Sequence, residues 1–321
     1  MTRHVLVTGA TGCIGSHLVE AMLKETTDRL ILPVRNPDVL PPHVRHSERV
    51  AVHTIDVRDL ARNLTTLGRI DDAILIAAAW GGPEAFEVNL DATFALLSRL
   101  DAMGADRLIY FSTASVLDRR KRLLPAALEI GTDYIRSKYE LVAALDDRPW
   151  TAELIGLFPT LVLGGGGDKP LSHLSRLLIE AAPWARLAGH ATADGRFHLI
   201  HARDIARVVV QRLAEPLKPS APEPARHVLG MPANETDQII DMFSRFFGAR
   251  RWPRLRLRTW QVEALISLFR IRMSAWDRYC IVNRDQSYIE VLNPTHYGAA
   301  VYAKDLTAAL MELKALGLLN R

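Results

Sequence analysis

The stretch VLVTGATGCIGSHLVEAM, Val5 to Met22, decides the fold. It opens as an apolar strand-like run, breaks at glycine, and resumes with the spacing of an amphipathic helix. Gly9, Gly12 and Gly15 fall at the join, spaced G-x-x-G-x-x-G. Gly9 permits a tight turn. Gly12 lets the backbone approach a pyrophosphate, and Gly15 lets the helix pack close to the sheet. The helix start offers free N–H groups and a partial positive charge. Thr11, Cys13 and Ile14 complete this candidate dinucleotide-binding loop. A glycine triplet alone is weak evidence. Placed after a strand and at the mouth of a helix, it is strong.

Outward from this stretch, strand-like and helix-like runs alternate. Strands are expected at 4–8, 29–34, 50–55, 73–79, 107–113 and 151–158, and helices near 14–25, 83–103 and 133–146. The strands read as nearly continuous apolar runs, the pattern of a parallel sheet covered on both faces. This predicts an α/β, Rossmann-type doubly wound sheet over residues 1–160. Part of 190–235 is expected to return to it, and 161–321 to form mainly a smaller substrate-binding lobe. Four prolines in PLKPSAPEPA (216–225) mark a loop. Further helices are expected near 236–247 and 303–316, with WQVEALISLFRI between them also helical in pattern.

The chain of 321 residues is 49% apolar and 24% charged, ordinary for a globular protein. Cys13 and Cys280 form no disulfide framework and no metal-ligand spacing. The N-terminus holds no apolar region of signal-peptide length, and no stretch reaches membrane-spanning length. A cytoplasmic protein is therefore expected, without a metal, membrane or nucleic-acid partner; the candidate dinucleotide loop adds a small-molecule substrate to that expectation. The net charge is +4, and nine arginines fall between Arg245 and Arg278. They read either as an anion-attracting surface or as a general preference for arginine, since the chain has 33 Arg and seven Lys. No nucleic-acid motif accompanies them.

Enzymes that prefer NAD usually carry an acidic residue at the end of the second strand. Val34 and Arg35 stand there instead. An arginine can pair with the 2′-phosphate of NADP, so NADP(H) is favoured, with NAD(H) the alternative. Asp56, followed by Val57, could bond the adenine amino group or cap the next helix. Ala77 and Ala78, at the end of the fourth strand, are further candidate cofactor contacts.

In GTDYIRSKYE (131–140), Tyr134 and Lys138 stack on one helix face. The phosphate loop, Asp56, FSTASV and Tyr134-x-x-x-Lys138, in this order and spacing, resemble the extended short-chain dehydrogenase/reductase family. That group includes epimerase/dehydratases and dihydroflavonol-reductase-like enzymes. The resemblance covers about residues 3–210 and continues more weakly to 235 through HLIHARDIARVVV, near His201 and Asp204. It implies that Tyr134 exchanges a proton with the substrate oxygen. It implies too that Lys138 holds the nicotinamide ribose and lowers the tyrosine pKa. Thr113 would bond the substrate oxygen, and Asn89 would support helix geometry or a proton relay. Pro159 would lie against the nicotinamide end. Relatives of this kind dimerise through their two long helices, here about 83–103 and 132–147.

The chain departs from the sugar-nucleotide members, which often carry an arginine where Phe158 stands and another where Phe197 stands. With Trp80, Leu117, Phe158 and Trp184 expected near the pocket mouth, a less polar substrate is indicated. The favoured expectation is thus an NADP(H)-dependent oxidoreductase acting on a carbonyl or alcohol. A nucleotide-sugar epimerase or dehydratase with bound NAD(P) is the alternative. A non-catalytic dinucleotide sensor is the least favoured, because Tyr134 and Lys138 are both kept.

Overall fold

A computed structural model describes residues 2–218, 224–249, 255–256 and 274–319. Six strands, β1 (His4–Thr8), β2 (Arg29–Val34), β3 (Val50–Thr54), β4 (Asp72–Leu75), β5 (Arg107–Phe111) and β6 (Glu153–Pro159), share one sheet with Ala225–Leu229. The order is Ala225–Leu229, β6, β5, β4, β1, β2, β3. Every neighbouring pair is parallel. This is the Rossmann-like doubly wound α/β arrangement. Its order reverses between β1 and β4, and ligands of such sheets sit beyond the carboxyl ends of the strands at that point.

Alternate residues of each strand feed opposite cores. Leu6, Leu75, Leu108 and Tyr110 join Leu97, Leu141 and Leu145 of the helices on one face. Val5, Val7, Ile74 and Ile109 join Leu18, Met22, Ile205 and Val209 on the other. A third, smaller core gathers Leu163, Leu199, Phe243, Leu306, Leu310 and Leu313. The C-terminal helix Leu306–Ala315 belongs to it.

Two local readings change. The fourth strand ends at Leu75 rather than at residue 79. Side chains take over from the ladder there: the Thr8 hydroxyl accepts the Ile76 and Ala77 amides at 3.2 and 3.3 Å. The expected helix near 83–103 is three pieces, Pro83–Phe86, a π-helical turn Glu87–Ala92, and Thr93–Ala102. The π turn carries Asn89, and such turns often mark functional sites. The helix expected within WQVEALISLFRI, and most of the arginine- and tryptophan-rich stretch, lie outside the described residues.

Candidate active site

The phosphate loop is built as its spacing demands. Gly9 has φ +71°, and a Cβ there would meet the Ala77 amide nitrogen at 2.7 Å. A Cβ on Gly15 would stand 2.0 Å from the Gly9 carbonyl oxygen, so the helix touches the loop backbone directly. The helix Cys13–Glu25 starts from Gly12 with no side-chain cap and no acidic residue in its first turn. Its leading N–H groups and its dipole are therefore available to an anion. These residues fit a dinucleotide pyrophosphate.

At the adenosine end, Arg35 is exposed at the close of β2. Asp56 serves as N-cap of the helix Val57–Asn63, accepting the Arg58 amide at 2.9 Å, and pairs with the Arg58 guanidinium. Hydrogen bonds from Arg58 hold its carboxyl below the usual range, with Arg35 contributing through its charge. The capping role weighed for Asp56 is thus occupied in this fold.

Tyr134 and Lys138 lie on the helix Asp133–Asp146, whose N-cap Thr132 accepts the Ile135 amide. Thr113, two residues past β5, stands close enough to the Tyr134 hydroxyl to lower its pKa. Thr113 also caps the short turn Ala114–Val116, accepting the Ser115 amide at 3.3 Å. Lys138 is only 2% exposed. Its ammonium donates to the Phe111 carbonyl at 2.9 Å. A lysine has three N–H donors, so this single bond among the described residues leaves capacity for a ribose.

The charge balance differs from expectation. Burial pushes Tyr134 up to about 12, and the neighbouring Thr113 lowers it only in part. Burial also pushes Lys138 down to about 8. Within the protein alone, the larger influence on Tyr134 is dehydration rather than the lysine.

Asn89 is fully buried. Its carbonyl accepts the Ala79 amide at 2.9 Å, and its amide donates to Ala79 O at 2.8 Å and to Ser137 Oγ at 3.0 Å. Ser137 in turn donates to the Tyr134 carbonyl at 3.0 Å. Both amide protons are committed, so Asn89 clamps the loop after β4 to the Tyr134 helix.

Trp80, next to the clamped Ala79, lies against Tyr134 with ring centroids 4.6 Å apart and planes 17° apart. His173 stacks on the same indole at 5.9 Å and 22°. Of the four expected substrate contacts, two need correction. Leu117 and Phe158 are 3% and 0% exposed and belong to the sheet core, with Phe158 packed edge-on against Tyr110. Core packing consumes the surface that a ligand would need. Trp184 is exposed on the turn Ala182–Trp184. Pro159 is buried at the end of β6, and Ala77 and Ala78 follow β4 beside Gly9.

The histidine–aspartate segment has a structural task. His201 Nδ1 accepts the Arg203 amide at 3.1 Å, so Nε2 carries the proton and donates to Glu312 at 2.7 Å. Asp204 accepts the Tyr302 and Ala303 amides at 2.7 and 3.1 Å. Together they fasten the C-terminal segment to the sheet domain. Sequence reasoning missed Ser137, His173, His198 and Tyr288 near the site. Ser137 lay in plain view between Tyr134 and Lys138, but the others carry no local signal.

No helix among the described residues is long and apolar enough to cross a membrane. No curated protein matches the chain. Solved structures share the fold at low identity. WbmG of Bordetella bronchiseptica, in complex with NAD and UDP, is 18% identical with a TM-score of 0.64, covering 99% of this chain and 96% of its own. DesIV, the dTDP-glucose 4,6-dehydratase of Streptomyces venezuelae, with NAD and TYD bound, is 17% identical with a TM-score of 0.64 and 97% coverage of both chains. The UDP-N-acetylglucosamine 4-epimerase of Methanobrevibacter ruminantium M1 is 14% identical with a TM-score of 0.64, covering 98% of this chain and 99% of its own. The NAD dependent epimerase/dehydratase family matches residues 5–225. That span takes in the phosphate loop, the Thr113–Tyr134–Lys138 group and the sheet around them, and the chain belongs to this family.

Proposed function

We propose that the protein is a dinucleotide-dependent enzyme that oxidises and re-reduces a carbinol carbon of a nucleotide-linked sugar. The observation that carries this reading is Tyr134 with Thr113 beside its hydroxyl and Lys138 buried one helical turn away on the same helix. Tyr134 would take the proton from a substrate hydroxyl and return it. Thr113 would steady that oxygen. Lys138 would hold the nicotinamide ribose, and the amides after Gly12 the pyrophosphate. The bound nicotinamide supplies the hydride acceptor and donor.

The apolar-carbonyl reductase favoured from sequence alone yields to the nucleotide-sugar reading. Family membership and neighbours that include sugar-nucleotide enzymes support the latter. Leu117 and Phe158, part of the case for an apolar pocket, lie in the core. Epimerisation needs a single acid–base group. Dehydration needs a further acid and base, and the turn after Thr113 carries only Ala114, Ser115 and Val116. Epimerisation or simple oxidation is therefore preferred. The aromatic cover of Trp80 and His173 keeps the reductase as a second reading.

The test incubates purified protein and NAD+ with UDP-glucose, UDP-N-acetylglucosamine and dTDP-glucose, and reads products by NMR. Stereochemical inversion or oxidation is expected, lost in Tyr134→Phe. Steady NADPH consumption with simple ketones or aldehydes, and no change in any sugar, would establish the reductase instead. Arg35 supports a preference for NADP(H) in this chain, whereas the neighbours' structures hold NAD. A lower Kd for NADPH than for NADH, lost in Arg35→Ala, is the expected binding result.

A further inference from the structure

Tyr288 is 174 residues from Ala114 in sequence, yet its hydroxyl donates to the Ala114 carbonyl at 2.6 Å. That carbonyl also accepts the Leu117 amide at 2.9 Å. Ala114 opens the turn that Thr113 caps, and the same Thr113 side chain stands beside the Tyr134 hydroxyl, lowering its pKa. Tyr288 is itself held firmly. Its amide donates to His198 Nε2 at 3.0 Å, and His198 Nδ1 donates to the Met231 carbonyl at 2.7 Å. His198 is buried in this neutral tautomer. Around it, the Ile289 amide donates to Arg119 O at 3.2 Å, and Lys121 pairs with Glu290 at 2.7 Å. The exposed ion pair adds little restraint. The buried histidine and the tyrosine hydroxyl provide most of it.

We propose that Tyr288 is a positioning residue for the acid–base pair: its hydroxyl holds the Ala114 carbonyl, and so the Thr113–Val116 turn, with Thr113 aimed at Tyr134. The proposal rests on the reading of Thr113 and Tyr134 as the reacting pair. A half-buried tyrosine needs a partner for its hydroxyl in any case. Removing only that oxygen separates the two roles. If Tyr288 merely satisfies itself, the turn keeps its shape through Thr113 and Leu117. If Tyr288 orients the turn, Thr113 loses its aim, and small misplacements of a reacting group cost rate steeply.

Tyr288→Phe preserves the ring packing against the sheet core. Two readouts decide. Hydrogen exchange of the Ser115 and Val116 amides should accelerate at least several-fold in Tyr288→Phe, with the β6 amides unchanged. Turnover of UDP-glucose should fall about 10-fold in kcat with KM within twofold, on the scale of small misplacements. That loss should vanish in a Thr113→Ala background, where there is no aim left to lose. Unchanged exchange at Ser115 and Val116 overturns the proposal, as does an equal kinetic loss in both backgrounds. The exchange measurement needs no substrate. Absence of UDP-glucose turnover would therefore count against UDP-glucose as substrate and leave exchange to decide the role of Tyr288.

Discussion

The Trp80 indole lies nearly parallel to the Tyr134 ring, 4.6 Å from it, while remaining 68% exposed itself. It shields the candidate acid–base group from water at its own expense. Burial is the larger cause of the raised Tyr134 pKa, about 12. Removing the cover with Trp80→Ala should bring that value down toward the free tyrosine value of about 10. The rise of rate with pH that follows Tyr134 ionisation should move to lower pH by about one unit. Trp80→Phe, which keeps a ring, should move it less.

Lys138 carries a stability cost. Its folded pKa, about 8, lies below the ordinary 10.5. Between those values the unfolded chain binds the extra proton, so stability rises with pH across this window and is lowest at and below pH 8. Lys138→Met removes a penalty of roughly 3 kcal/mol at pH 7 and gives up a bond to Phe111 O worth about 1 kcal/mol. Urea unfolding should show a net gain of about 2 kcal/mol. Titration calorimetry should show weakened dinucleotide binding in the same variant. A less stable variant with intact cofactor affinity would refute both assignments.

Asn89→Ala breaks three hydrogen bonds at once and leaves the Ala79 backbone groups unpaired. A loss of about 2–4 kcal/mol in unfolding free energy is expected. Because Ala79 adjoins Trp80, turnover should fall as well. The Trp80 fluorescence, isolated in a variant lacking the other tryptophans, should shift as the indole leaves its stack on Tyr134.

His17 is buried beside His201 with no partner on either ring nitrogen among the described residues. Burial, with further repulsion from Lys169 and Arg203, pushes its pKa down to about 4. The unfolded chain takes up this proton near pH 6.5 and the folded chain near 4, so stability is full above 6.5 and falls as pH drops toward 4. His17→Leu should flatten this part of the acid-denaturation curve by roughly 2–3 kcal/mol. An unchanged acid limb would refute the low pKa of His17; His227, also pushed down to about 4 by burial, should leave the remaining slope.

The sequence by itself determined the sheet, the phosphate loop and the Tyr134–Lys138 pair. Each rests on short-range rules: strand and helix periodicity, a backbone turn that only glycine fits, and two side chains one helical turn apart. The Tyr134 helix was legible because its pattern and its threonine cap are local. Tertiary structure alone decided what surrounds Tyr134. It sent Leu117 and Phe158 into the core, because residues beside a buried strand end are claimed by packing before a ligand can use them. It laid Trp80 on Tyr134 through a clamp from Asn89 to Ser137, 48 residues apart. It brought Tyr288 to Ala114 across most of the chain. Such contacts depend on how distant segments fold back on one another, and no local spacing encodes that.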